Sequence, residues 1–106
     1  MLQQADIDKL IEEIVVGYAP DKVYLFGSYA LGTQTNDSDI DLFIIKNTSK
    51  RKIERNRDVR KCIKNYLASG MDIFIFTPLE IQQGLEQVVN IGKEATATGK
   101  LVYERI

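Results

Sequence analysis

Apolar residues recur at helical spacing near the start of the chain, where Ile7, Leu10, Ile11, Ile14 and Val15 form one stripe. The spacing predicts a helix over about residues 6–17, with Asp6 and Asp8 at its positive end and Gly17 and Pro20 as its stop. The pattern then changes to short apolar runs. Val23-Tyr24-Leu25-Phe26 reads as a buried strand cut off by Gly27. Ser28 to Leu31 reads as a turn of helix ending at Gly32, and Thr33 to Ser38 as polar loop. Ile40 to Ile45 predicts a second strand, and Met71 to Phe76 a third. Between them, Val59, Cys62, Ile63, Tyr66 and Leu67 share one face of a helix over 50–68, with Gly70 as its stop. Thr77-Pro78-Leu79-Glu80 is a capping box with proline at the first helical position. The helix it opens should reach about Asn90, with Ile81, Leu85, Val88 and Val89 inward, followed by a short helical piece over 91–98. Leu101-Val102-Tyr103 reads as a last edge strand. Strands alternating with helices imply an α/β sheet covered by helices on at least one face.

A chain of 106 residues reads as one domain, residues 1–106, with one core. At 44% hydrophobic and 27% charged the composition is that of a folded globular protein. No apolar run is long enough to span a bilayer, and residues 1–6 lack the basic start and apolar run of a signal peptide. The expected location is the cytoplasm. Cys62 is the one cysteine, which excludes an internal disulfide and a thiolate metal cage. Histidine is absent. Ser-His and Cys-His catalysis and imidazole metal sites are therefore excluded. Any chemistry must use carboxylates, hydroxyls, Lys, Arg, Tyr, backbone amides and a hard metal.

The net charge of -1 conceals an asymmetry. Nine of the 14 basic residues lie between Lys46 and Lys64, where only Glu54 and Asp58 oppose them. That segment is a basic patch on an otherwise acidic chain, either an attractor of acidic partners or a solvated helix face.

The candidate chemistry sits between Gly27 and Leu42. Asp39 and Asp41 are two apart at the mouth of a strand, so they should share a face, roughly 6–7 Å apart at Cα. Like charges so placed call for a cation, and a hard dication with oxygen ligands, Mg²⁺ or Mn²⁺, suits them. Along that face follow Phe43 and Ile45, as at a site on a sheet edge. Asp72 stands in the otherwise apolar run Met71 to Phe76, where a buried carboxylate needs a partner. That partner is either a Lys or Arg or a metal shared with the other two aspartates. Gly27-Ser28, abruptly after a strand, presents backbone N–H groups that suit phosphate.

Gly27-Ser28, Gly32, Ser38-Asp39-Ile40-Asp41-Leu42 and the later Asp72 together resemble the signature of the DNA polymerase β-like nucleotidyltransferase superfamily. The likeness is nearest to its smallest branch, the minimal nucleotidyltransferases, and runs from Val23 to Glu104. It implies a small mixed β-sheet flanked by helices. It also implies transfer of a nucleoside monophosphate, AMP from ATP, onto an acceptor hydroxyl. Carried over, Asp39, Asp41 and Asp72 become the metal ligands and catalytic residues, with Asp72 on the acceptor side able to take its proton. Gly27, Ser28 and Ser38 become the nucleotide-binding residues. Minimal members are typically paired with a HEPN-domain protein in prokaryotic toxin–antitoxin modules, which implies an antitoxin that adenylylates a tyrosine of that partner. Leu31 stands where family members often carry arginine. It is the feature that favours an alternative, a non-catalytic protein that masks the toxin. A further alternative is a transferase acting on nucleic acid or on a small molecule such as an aminoglycoside. Both homo- and hetero-oligomers are compatible with the sequence.

Overall fold

The computed structural model describes residues 2–84 and 86–105. The elements are α1 (Gln4–Tyr18), β1 (Lys22–Phe26), α2 (Ser28–Leu31), β2 (Ile40–Ile45) and α3 (Lys52–Cys62). A 3₁₀ segment (Lys64–Ser69) follows, then β3 (Met71–Phe76), α4 (Pro78–Gln83), α5 (Glu86–Thr98) and β4 (Lys100–Glu104). The four strands form one mixed sheet in the order β3-β2-β1-β4. β1 is antiparallel to β2 and β4, while β2 and β3 are parallel, joined by a crossover through α3. A parallel pair needs such a crossover because a hairpin cannot connect strands that run the same way.

Strand alternation divides the sheet into two faces. One carries Val23, Leu25, Ile40, Leu42, Ile44, Met71, Ile73 and Ile75, and is covered by the stripe of α1 and by Val59 and Ile63. The opposite face is built in three rungs across β1, β2 and β3. Lys22, Ile45 and Phe76 form the first, Tyr24, Phe43 and Phe74 the second, and Phe26, Asp41 and Asp72 the third. Its aromatic rings pack 5.7 to 6.1 Å apart, within the range in which aromatic pairs attract. Ala95 of α5 is buried against Phe26, Phe43 and Phe76, with Ile81 and Ile91 alongside.

Several expected boundaries shift. α1 begins earlier, at a capping box between Gln3 and Asp6, and runs through Gly17 to Tyr18. Gly17 does not end the helix because it serves packing: a side chain there would collide with Cys62 Sγ of α3. The expected helix over 50–68 breaks at Ile63, whose backbone leaves the helical region, and continues as the 3₁₀ segment. The capping box at Thr77 and Glu80 is present as read. The helix it opens ends at Gly84, which takes a left-handed conformation with φ 67°. Glycine adopts that conformation without the clash a side chain would bring, so α4 and α5 are separate helices where one was expected to reach Asn90. Val89 is 38% exposed, contrary to its inward assignment. Leu85, and the side chains of Leu67 and Val88, lie outside the described residues. Among the described residues no helix is long and apolar enough to cross a membrane.

The basic run is mostly consumed within the fold. Lys46 Nζ donates to the carbonyls of Tyr18 and Ala19, Lys50 pairs with Asp58, and Arg51 pairs with Glu54. Arg55, read as part of a charged surface, is buried. It donates to the carbonyls of Lys50 (2.7 Å) and Ile75 (3.2 Å) and to Glu80 Oε1 (2.7 Å). Asn56 and Arg60, on the same flank of α3, donate to the carbonyls of Ile73 and Met71, each at 3.3 Å. Three alternate carbonyls of β3, an edge strand, are thus capped by side chains, which blunts an edge otherwise open to strand addition.

Candidate active site

The third rung ends the sheet. β1 delivers Phe26 and then turns at Gly27, where φ is 72° and ψ -155°. Only glycine tolerates this backbone readily. There is a second reason for glycine: a Cβ would meet the Asp41 carboxylate. The turn leads directly into α2. The N–H groups of its first residues, Ser28 and Tyr29, have no intrahelical acceptor and face outward from the helix start.

β2 enters beside this turn. Asp39 lies just before the strand and Asp41 is its second residue. The two are less alike in setting than an Asp-x-Asp on one strand suggests. Asp39 is exposed, and its carboxylate packs against Gly70, which takes φ 71° immediately before β3. Ile40 N–H donates to the Gly70 carbonyl at 3.1 Å, fastening the entrances of β2 and β3 together. Gly70, read as a helix stop, therefore also makes room for Asp39.

Asp41 stands opposite Phe26 on β1 and Asp72 on β3. The two carboxyls lie side by side on one face of the parallel pair, where they can share a proton. Burial pushes the Asp41 carboxyl up to about 6, and Asp72, Glu94 of α5 and Asp39 push in the same direction. Two carboxylates in contact need one proton or one cation between them. Asp72 was expected to be buried in its strand and is instead exposed. α5 covers this face as far as Phe26 and leaves its β3 end open, so Asp72 meets Asp41 and solvent. The site is at the ends of strands and involves the interior strand β2, not a lateral sheet edge as the strand pattern alone suggested.

Ser38 Oγ accepts from Thr35 N–H at 2.9 Å within the loop that leads to Asp39. It orders that loop, and its hydroxyl also lies 3.4 Å from Thr35 Oγ1. Glu94 is the site residue the sequence reading missed. It is distant in sequence, and no motif marks it.

These groups fit a hard dication. The donors are all oxygen, Gly27 and Gly70 leave space at two of the carboxylates, and Asp41 and Asp72 repel once both are ionised. Among the described residues no three acidic, cysteine or histidine side chains are placed to hold a metal by themselves. Mg²⁺ sites commonly use one or two carboxylates and complete their shell with water and substrate phosphates.

The raised carboxyl has a stability consequence. An acid whose folded value lies above its unfolded one binds protons more readily when folded, so folding weakens as pH rises through that interval. Here the interval is 3.8 to about 6. Asp41→Asn is expected to stabilise the fold at pH 7.5 by about 1 kcal/mol, after discount for solvent screening, and by little at pH 4. Urea unfolding at the two pH values checks this. Equal effects at both would show that repulsion at Asp41 is not the cause.

The model of the polymerase beta nucleotidyltransferase family matches residues 9–105. Over 64 residues the chain is 34% identical to a relative from Methanocaldococcus jannaschii whose name describes a candidate protein adenylyltransferase. That match takes in 58% of this chain and 44% of the relative, so the chain spans less than half the relative's length. A crystal structure of a toxin–antitoxin with AMP-PNP superimposes with a TM-score of 0.66, at 22% identity, over 92% of this chain and 73% of that one. A structure of the tri-AMPylated Shewanella oneidensis HEPN toxin in complex with MNT antitoxin gives a TM-score of 0.55 at 19% identity, over 95% and 69%. At these identities the two structures establish a shared fold.

Proposed function

This chain belongs to the polymerase beta nucleotidyltransferase family, and we propose that it transfers AMP from ATP onto a tyrosine hydroxyl of a HEPN-domain partner, so acting as an antitoxin. The observation that carries the reading is the placement of Asp41 opposite Asp72 at the end of the sheet, with the Asp41 carboxylate against the Gly27 turn. A polar, cation-seeking pair beside free amides is what a nucleoside triphosphate requires. The relative named for protein adenylylation and the fold shared with an MNT antitoxin support a protein acceptor.

In this reading Asp39 and Asp41 would hold Mg²⁺ or Mn²⁺ together with the triphosphate, and Asp72 would be a further ligand on the acceptor side. The bound ions would lower the pKa of the acceptor hydroxyl and stabilise the departing pyrophosphate. The N–H groups of Ser28 and Tyr29 and the Ser28 hydroxyl hold the outer phosphates, with Gly27 allowing their close approach, and the Ser38 hydroxyl is a further donor to the nucleotide. The tyrosine oxygen bonds to the α-phosphorus, its proton passes to Asp72, and the bond to the bridging oxygen breaks to release pyrophosphate. A partner protein supplies the wall that this open strand end lacks, since misplacing the acceptor by about 1 Å costs on the order of a hundredfold in rate.

Incubation with ATP, Mg²⁺ and a cognate HEPN-domain protein should add one or more AMP units to a tyrosine of that protein, read by intact mass spectrometry and peptide mapping. Asp72→Asn should still bind ATP with Mg²⁺ by calorimetry and fail to transfer. Binding lost together with transfer would make Asp72 a donor-site group. Leu31 is 59% exposed beside the nucleotide turn, an apolar contact suited to masking a partner. An unmodified partner that is nevertheless inhibited would establish that second reading. Addition to an RNA end or an aminoglycoside would move the function to another acceptor.

A further inference from the structure

Most cations of the basic run are tied to carbonyls or carboxylates, but Arg57, Lys61 and Lys64 are not. These three are exposed and make no hydrogen bond or close ion pair among the described residues; Arg57 and Lys61 attract Asp58, which is paired with Lys50. They line, with Ile53 and Arg60, a groove of about 450 Å³ on the outer flank of α3. Ile53 is 62% exposed there, an apolar floor between cationic heads. Lysine and arginine stems add to such a floor while their charges stay in water. The groove also has a direction. Arg60 Nη2 donates at 3.3 Å to the carbonyl of Met71, the peptide group joined to Asp72. One end of the basic flank therefore meets the strand that carries the acceptor-side carboxylate.

We propose that this groove is the docking surface for the acceptor: an acidic polypeptide segment that lies along α3 and passes over the edge of β3 to present its hydroxyl at Asp72. The direction of docking rests on the transferase reading above; the surface and its charge preference do not. Charge complementarity selects an acidic chain, because three exposed cations lie together on a molecule that is otherwise acidic. The same groove suits nucleic acid less well. No aromatic side chain lines it among the described residues, so it offers no platform on which bases could stack.

The test is binding, read separately from transfer. A fluorescein-labelled random copolymer of glutamate and tyrosine is titrated with the full chain at low ionic strength and followed by anisotropy. The wild-type chain should bind it and release it as salt is raised, because exposed charges are screened over about 8 Å at physiological salt. Arg57→Glu with Lys61→Glu and Lys64→Glu should weaken binding at least about tenfold. The charge-conserving set Arg57→Lys, Lys61→Arg and Lys64→Arg should retain it, and circular dichroism should show all three proteins equally folded. A lysine–tyrosine copolymer should not bind. Undiminished binding by the charge-reversed protein overturns the proposal. So does tighter binding of a single-stranded RNA oligonucleotide, or sedimentation showing that the groove instead joins two copies of this chain. Binding as described without AMP transfer to any acceptor would leave the docking surface standing and overturn the transferase reading.

Discussion

Replacing Asp41 by Asn is expected to lower AMP transfer by at least on the order of a hundredfold, the size of effect seen when a preorganised electrostatic partner of the transition state is removed. The substitution keeps the side-chain volume and the strand, so the fold should persist and grow more stable near neutral pH. That opposition of effects separates a functional carboxylate from a structural one. A residue kept for stability should cost stability when changed, whereas Asp41 is partly buried beside Asp72, with Glu94 and Asp39 adding repulsion. Asp39→Asn should cut transfer on the same scale but leave stability nearly unchanged, since Asp39 is exposed and rests against Gly70. Transfer is read as radiolabel from α-labelled ATP on the partner protein. An Asp41→Asn protein that works at near wild-type rate would remove this aspartate from the chemistry.

Arg55→Ala should destabilise the fold by about 3–5 kcal/mol, the cost of removing one partner from a buried ion pair. Total stability of a domain this size is on the order of 5–15 kcal/mol, so much of it is at stake. Arg55 joins three parts of the chain: the Lys50 carbonyl before α3, the Ile75 carbonyl on β3 and Glu80 in the first turn of α4. Its loss strands a half-buried carboxylate and two carbonyls. Glu80 shows the balance. Burial alone would raise its carboxyl, but hydrogen bonds from Arg55 and the Thr77 N–H outweigh it and hold the carboxyl below its ordinary value. An acid held low when folded stabilises the fold above its unfolded value of 4.5, and that contribution is lost as pH falls. Glu80→Gln, which keeps shape and an acceptor oxygen, should cost less than Arg55→Ala. Urea unfolding measures both, and a loss below about 1 kcal/mol for Arg55→Ala would show that the pair is replaced by water.

The local alphabet of the fold was readable in the chain. β2 and β3 fall where their apolar runs lie, α2 occupies Ser28 to Leu31 as read, and the Thr77–Glu80 capping box opens α4. Each depends on neighbours within a few residues: side-chain alternation, a cap, a glycine after a strand. The stripe of α1 likewise needed only helical spacing. Helix ends were read less well. Gly17 and Gly84 look equivalent in sequence, yet one lies inside a helix against Cys62 and the other ends α4 in a left-handed turn.

The candidate site divides along the same line. The residue types Gly27, Ser28, Asp39, Asp41 and Asp72, with their spacing, were legible, as was the absence of histidine that confines the chemistry to oxygen ligands. Which carboxylate meets which was not. Asp41 is opposite Asp72 because β2 and β3 run parallel in a register set by the crossover through α3, a pairing across 31 residues of chain. Asp39 instead packs on Gly70, and Glu94 joins from α5, because tertiary packing brings those elements to one sheet end. Arg55 read as one more cation in a basic run. Only the docking of α3 against β3 and α4 buries it, by offering a guanidinium three acceptors at once. Sequence alone determined what could act, since side-chain chemistry and local conformation are properties of short stretches. Position, burial and charge partners depend on non-local pairing, and these were decided by the tertiary structure.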